Sequence, residues 1–439
     1  MHRRSLLQLG SAAALTFGGA RLWAQSPSQV GPDARFLLVF LRGGYDALSL
    51  LVPSGGFYKE VRPNIGVPWA APGSGAAVGN GAALTTPATT TATTTTTATP
   101  AAPSPTATPL NADWALHPAL QGSVLPLARA GQAVFVPFAG THDTSRSHFE
   151  TQDSIELGQG HEGTAARDFS SGFLNRLAQQ LGARQSIAFT EQLPLSLRGA
   201  AEVANVSLKA VPRAGAALQE PLIAMYRGTP LQDRVSEAFG VRNEVAREMN
   251  AMNAMTAMNG EMEAANRGAI SSRGFELEAR RMARLMRERY ALGFVDVGGW
   301  DTHVNQGAAT GALATRLEEL GRGLAGFAQE IGPAVWKKTV VVVLSEFGRT
   351  TRENGNRGTD HGHGSVHWVL GGGLAGQAGP VVGEQVAVAQ RTLFQNRDLP
   401  VLNEYRSVLG GLLGRQFGLS DAALRSVFPG AAARDLGLL

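Results

Sequence analysis

TVVVVLSEFGRT, residues 339–350, decides the architecture. Val340–Leu344 is apolar at every position, with no alternation that would leave one face for water. So short and uniform a run is the pattern of a strand in a parallel sheet with helices over both faces. FLLVFLRGGYD (36–46) repeats it, and LGFVDVGGWDTH (292–303) holds a third such run. Chemistry-bearing side chains follow each run at once: Glu346 and Arg349, then Asp46, then Asp301 and His303. TDHGHG (359–364) adds Asp360, His361 and His363 a few residues beyond the first stretch. Ligands of open α/β sheets bind beyond the carboxyl ends of the strands. Acids and imidazoles gathered there predict a metal-assisted site.

Between these runs the pattern turns helical. Phe275, Ala279, Met282, Met286 and Tyr290 share one helical face, and Leu313, Leu317, Leu320, Leu324, Phe327 and Ile331 share another. The second helix is closed by Gly332-Pro333 and leads straight into the valine run. A helix is also predicted over Phe173–Leu181 and a strand over Ala133–Phe138. The fold class is therefore α/β, a mostly parallel central sheet flanked by helices. Residues 71–110 are Ala, Thr, Pro, Gly and Ser with the run TTTATTTTTATP, too poor in apolar area to offset their ordering entropy. They are expected to form a disordered insertion in a single domain made of 25–70 and 111–439. The Met-, Ala- and Asn-rich residues 250–268 are expected to be a helix or spacer, a packing role outweighing a copper-binding one.

With 44% hydrophobic residues the chain can bury a large core, and with no cysteine it can hold no thiolate metal site, iron–sulfur cluster or disulfide. A bound metal must use oxygen and imidazole ligands, which suits zinc first, then calcium, manganese or magnesium. The formal charge is +4, but Arg3, Arg4 and Arg21 lie within the first 24 residues, so the remainder is near neutral. Nothing there calls for nucleic acid. MHRRSLLQLGSAAALTFGGARLWAQS has a twin arginine, a modest apolar stretch and a small-residue cleavage site after Leu22-Trp23-Ala24. It reads as a signal for the twin-arginine translocase, placing the mature protein in the periplasm or outside the cell. No later stretch is long and apolar enough to be a membrane span.

The motifs carry two readings each. In GGWDTHVNQ, Asp301 and His303 stand two apart, so an extended segment turns both to one cation; equally, the Asp could orient a structural His. His361 and His363 repeat that spacing between glycines. Glu346 is a candidate ligand or base and Arg349 an anion fork, or the two form an ion pair closing the strand. Two glycines before Asp46 let the chain turn and present its carboxylate. In SRSHFE, Ser147 and Ser145 are candidate nucleophiles and Arg146 a candidate anion holder. Ser147 with Glu150 also matches a helix-capping box.

The leader, LRGGYDALSLLVP, YKEVRP, LHPAL, SRSHFETQD, GGWDTHVNQ and LSEFGRTTRENGNRGTDHGHG together resemble a family of secreted bacterial proteins, the domain-of-unknown-function 1501 family. The resemblance spans most of the chain outside 71–110. It implies an alkaline-phosphatase-like fold shared with sulfatases and cofactor-independent phosphoglycerate mutases. By that resemblance Asp46 contacts metal, Ser147 (or Ser145) is the nucleophile, and Asp301, His303, His361 and His363 complete a metal pair. Glu346 stands where the superfamily commonly has Asp-His-Gly. The implied function is an exported metal-dependent hydrolase of small anionic sulfate or phosphate esters, its metal site degenerate at Glu346 relative to that pattern. The alternative is a non-catalytic exported binding or surface-assembly protein that retains the fold.

Overall fold

A computed structural model of the chain describes residues 33–69, 105–160, 167–182, 185–208, 219–235, 265–375 and 379–439. The leader, residues 71–104 of the Thr-rich tract and 250–264 of the Met-rich tract lie outside the described residues. The strand Arg35–Leu41 runs down the middle of a nine-stranded sheet. Thr339–Ser345 and Leu292–Gly298 flank it, both parallel, with Val39 opposite Val343 and Val295. Ser186–Ala188 and Val203–Asn205 extend one side in the same direction. On the other side come Ser365–Leu370, then Ala133–Gly140, then Asn403–Glu404. Ile270–Ser271 pairs with Leu292–Gly298. Ser365–Leu370 alone runs against its neighbours. It therefore starts at the edge where the parallel strands end, and the TDHGHG segment just before it arrives beside the residues that follow the other strands.

Side chains alternate across the sheet. Leu37, Val39, Val341, Val343, Val295 and Val297 join one apolar core. The helices Phe275–Glu288 and Ala312–Ile331 cover that face, burying the Met282/Met286 and Leu313–Ile331 stripes the sequence showed. Phe36, Leu38, Phe40, Val340, Val342 and Leu344 join the other core, under the helices Phe173–Leu181 and Tyr405–Phe417. The result is a mostly parallel sheet between two helical layers. No helix of the described residues is long and apolar enough to cross a membrane.

The Thr-rich tract ends earlier than expected. Thr108–Pro109 pairs with Trp114–Leu116, which pairs with Leu51–Pro53. Ala107 is fully buried and donates its N–H to Pro68 O at 2.7 Å. Residues 105–110 thus belong to the folded body, because Ala107 and Leu110 pack into its core.

His367 lies mid-strand, buried, with neither ring nitrogen hydrogen-bonded among the described residues. Burial pushes it down to about 3. Below pH ~6.5 the unfolded chain takes up this proton and the folded one does not. Folding stability should therefore be complete above that pH and decline as pH falls toward 3. His367→Phe should flatten this part of the stability–pH curve measured by urea unfolding; an unchanged slope would assign the decline to other groups.

Candidate metal centre

Two crossings bring the site together. After Leu41 the chain turns through Gly43 (φ 119°), where a Cβ would stand 2.6 Å from Asp301 N. Only glycine lets the end of the central strand lie against the Trp300–Asp301 loop. Likewise Gly348 N–H donates to His363 O (2.9 Å) and Gly362 N–H to Gly348 O (2.8 Å), with Arg349 and His361 bridged as in an antiparallel pair. Thr359 N–H donates to Thr302 O at 3.1 Å. The DTH and DHGHG segments are thereby fixed to each other through backbone.

Asp301 is the hub. His303 Nε2 lies 2.9 Å from its Oδ1, and His361 Nε2 3.5 Å from the same oxygen. The two Nε2 atoms are 3.1 Å apart. His148 Nε2 approaches the other oxygen, Oδ2, to 3.6 Å. That is too long for a hydrogen bond, and this nitrogen is buried without a partner among the described residues. Each imidazole is anchored at its far nitrogen. His148 Nδ1 donates to Glu346 Oε1 (2.7 Å), His361 Nδ1 to Arg146 O (3.0 Å) and His303 Nδ1 to Asp360 Oδ1 (3.1 Å). All three acceptors lack a proton to give, so each Nδ1 carries one and each Nε2 faces Asp301, where a bound ion would take the place of any Nε2 proton. Outer partners that fix imidazole tautomers in this way are characteristic of metal ligands. A tetrahedral ion with bonds of about 2.0–2.1 Å sets its ligand atoms about 3.3 Å apart. The observed separations bracket that spacing. His148, Asp301 and His361 form a group able to hold a metal ion, with His303 adjoining.

Electrostatics follow the same geometry. Burial alone would push His148 down, but the Asp301 and Glu346 carboxylates overcome it and raise the ring to about 9. Burial opposes ionisation of Asp301, yet His148, His303, His361 and Arg349 hold it far below the ordinary carboxylate range. For Glu346, burial is likewise outweighed, chiefly by His148 and Gln152, which bring it to about 2.

The other candidates fall as follows. Asp360 stands at the rim, beyond the His303 ring. Glu346, expected as a ligand, sits behind His148: its Oε1 also accepts Gly43 N–H (2.8 Å) and Gln152 Nε2 (2.9 Å), its Oε2 the Ser345 hydroxyl (2.8 Å). Its lone pairs are spent on these donors. Asp46 is withdrawn from the centre. Its oxygens accept from Arg62 (2.6 and 3.0 Å), Ser49 (2.7 Å) and Gln306 (2.7 Å). His363 turns to Phe394, ring centroids 4.7 Å apart, and burial takes it down to about 4. Arg349, expected to be free for an anion, is buried against Asp301 and carbonyl oxygens of Gly44 and Thr359. Arg146 binds Asp398 Oδ2 through Nε (3.1 Å) and Nη2 (2.7 Å). Its left-handed backbone (φ 53°) turns its carbonyl to His361. Ser147 caps the helix His148–Leu157, accepting weakly from Glu150 N at 3.5 Å, and Ser145 Oγ lies 3.3 Å from Thr151 Oγ1.

His148 is offered by SRSHFE in the sequence, but without a metal-ligand role. A signal was present: His148, Gln152 and Glu156 are spaced as one helical face, polar yet buried. Arg42 holds that face, bonding Gln152 (2.9 Å), Glu156 (2.9 Å) and Asp296 (2.6 Å). Glu346→Gln keeps the volume but supplies one acceptor oxygen in place of two. Zinc affinity by calorimetry should fall roughly 10–100-fold with the fold intact; unchanged affinity would remove His148 from the ligand set.

Residues 33–428 match the family model described as "Protein of unknown function (DUF1501)", and the chain belongs to that family. No curated protein matches its sequence. Among solved structures, Ps i-CgsB in complex with k-i-k-neocarrahexaose is similar at 9% identity and a TM-score of 0.36, over 89% of this chain and 73% of that one. Ps i-CgsB alone gives a TM-score of 0.34 at the same identity and coverage. Likeness at this level carries no functional argument.

Proposed function

We propose that this chain is an exported metal-dependent hydrolase of sulfate or phosphate esters with an alkaline-phosphatase-like fold. The observation that carries the proposal is the inward Nε2 set, three imidazoles anchored at Nδ1 around one carboxylate. His148, His361 and Asp301 would hold the ion, with His303 adjoining, zinc by their nitrogen-rich chemistry. A divalent cation there would polarise an ester oxygen. Ser147, directly before His148 at a helix N-terminus that favours negative charge, is the proposed nucleophile. Its oxygen bonds to sulfur or phosphorus as the alcohol departs, the serine proton ending on that alcohol. Water then releases sulfate or phosphate and restores the hydroxyl. The leader, read as a twin-arginine signal, supports an activity in the periplasm or beyond.

Arg349 against Asp301 favours a second reading. A guanidinium already neutralises the hub carboxylate, as in a closed ionic knot that serves a non-catalytic binding or assembly protein. The zinc-loaded chain with 4-nitrophenyl sulfate and 4-nitrophenyl phosphate separates the two. The hydrolase reading expects turnover of at least one ester, lost on Ser147→Ala by several orders of magnitude. No turnover of either, with zinc bound, would leave the assembly reading.

A further inference from the structure

Beside the centre lies a cavity of about 220 Å³ that shares Asp360 with it. Asp360 holds the outer nitrogen of His303, so the cavity begins one imidazole away from Asp301. Phe57, Val61 and Leu393 give it apolar wall. Thr351 also lines it. Arg352, exposed on the same lining, makes no ion pair or hydrogen bond among the described residues. Its neighbour Glu353 makes no ion pair with it and is held instead by the N–H groups of Asn64 and Ile65 at 3.0 Å. The Asn396 side-chain amide adds a further open donor and acceptor.

We propose that this cavity is a binding subsite for a polyhydroxylated ring carrying an acid group, a uronic acid or its like, and that the esters hydrolysed at the centre are borne on such rings. The second half rests on the proposed function; the first does not. The apolar wall with Phe57 suits the C–H face of a saturated ring. The Asn396 amide suits ring hydroxyls, and the unpaired guanidinium suits a carboxylate. A bare inorganic anion would leave the apolar wall uncovered, and a plain apolar group would leave Arg352 and Asn396 unused. The volume lies below the ~300–1,000 Å³ of drug-sized sites, which limits the occupant to one ring.

The test is calorimetric titration of glucuronic acid, glucose and sodium sulfate into the full chain without added metal, so it reads the cavity whether or not the centre turns over any ester. Glucuronic acid should bind, with glucose weaker by about tenfold, the order of one charge-assisted hydrogen bond. Arg352→Ala should bring glucuronic acid down to the level of glucose, and Asn396→Ala should weaken both sugars. Arg352 is exposed, so its variant tests the contact without threatening the fold. Three results would each overturn the subsite: no sugar binding at millimolar concentration, binding that Arg352→Ala leaves unchanged, or sulfate alone binding as well as glucuronic acid. Sugar binding without ester turnover would keep the subsite and sink the proposed hydrolase.

Discussion

Asp301→Ala should abolish tight zinc binding. Asp301 is the one carboxylate that all three Nε2 atoms face. Its loss removes a ligand and the negative charge that gathers the imidazoles, and leaves Arg349 as an uncompensated cation beside them. Affinity by calorimetry should fall by more than the ~10–100-fold that loss of an outer partner brings. His303→Ala should weaken zinc less, because His303 adjoins the group able to hold the ion without being part of it. Equal zinc affinity in Asp301→Ala and the parent would show that the imidazoles gather for structural reasons alone.

Asp46→Ala should behave in the opposite way, destabilising the protein strongly while leaving zinc stoichiometry unchanged. Asp46 and Arg62 are a fully buried pair at 2.6 Å, braced by Ser49 and Gln306. Removing the acid leaves a buried guanidinium without its counter-charge, which costs about 3–5 kcal/mol. Arg62 keeps hydrogen bonds to the carbonyls of Thr350 and Thr351, which places the expected value at the lower end of that range. The pair also has a pH signature. Burial would raise the Asp46 carboxyl, but Arg62, Ser49 and Gln306 hold it below its ordinary value. Its contribution is thus present above the unfolded carboxyl's pKa of ~4 and is lost as pH falls further. Urea unfolding at pH 7 and pH 3 should show Asp46→Ala costing much more at the higher pH. Loss of zinc in Asp46→Ala without loss of stability would return this residue to the metal centre.

These two aspartates mark what the sequence could and could not disclose. Val340–Leu344 and Phe36–Leu41 read as buried parallel strands because a run without alternation has few other homes. Asp301 and His303 read as a pair because spacing by two survives in an extended segment. Asp46 follows its strand in the same manner, and nothing local distinguishes a carboxylate aimed at a cation from one aimed at Arg62. That partner comes within reach only when the helix Gly56–Val61 folds back. Glu346 shows the same limit: its place at a strand end was legible, its saturation by Gly43, Ser345 and Gln152 was not. The ligand role of His148 was hidden by the capping pattern of SRSHFE, which explains Ser147 and Glu150 and gives the histidine between them no task. Its role depends on the antiparallel strand Ser365–Leu370, whose reversed direction delivers His361 to the same edge, a property of topology that no short motif encodes.

The most direct test of the centre is a crystal soaked in zinc and measured at the zinc absorption edge. One strong anomalous peak touching His148 Nε2, His361 Nε2 and Asp301 is the expected result, with His303 close enough to join. A peak at Asp46 or His363, or none at millimolar zinc, would contradict the account.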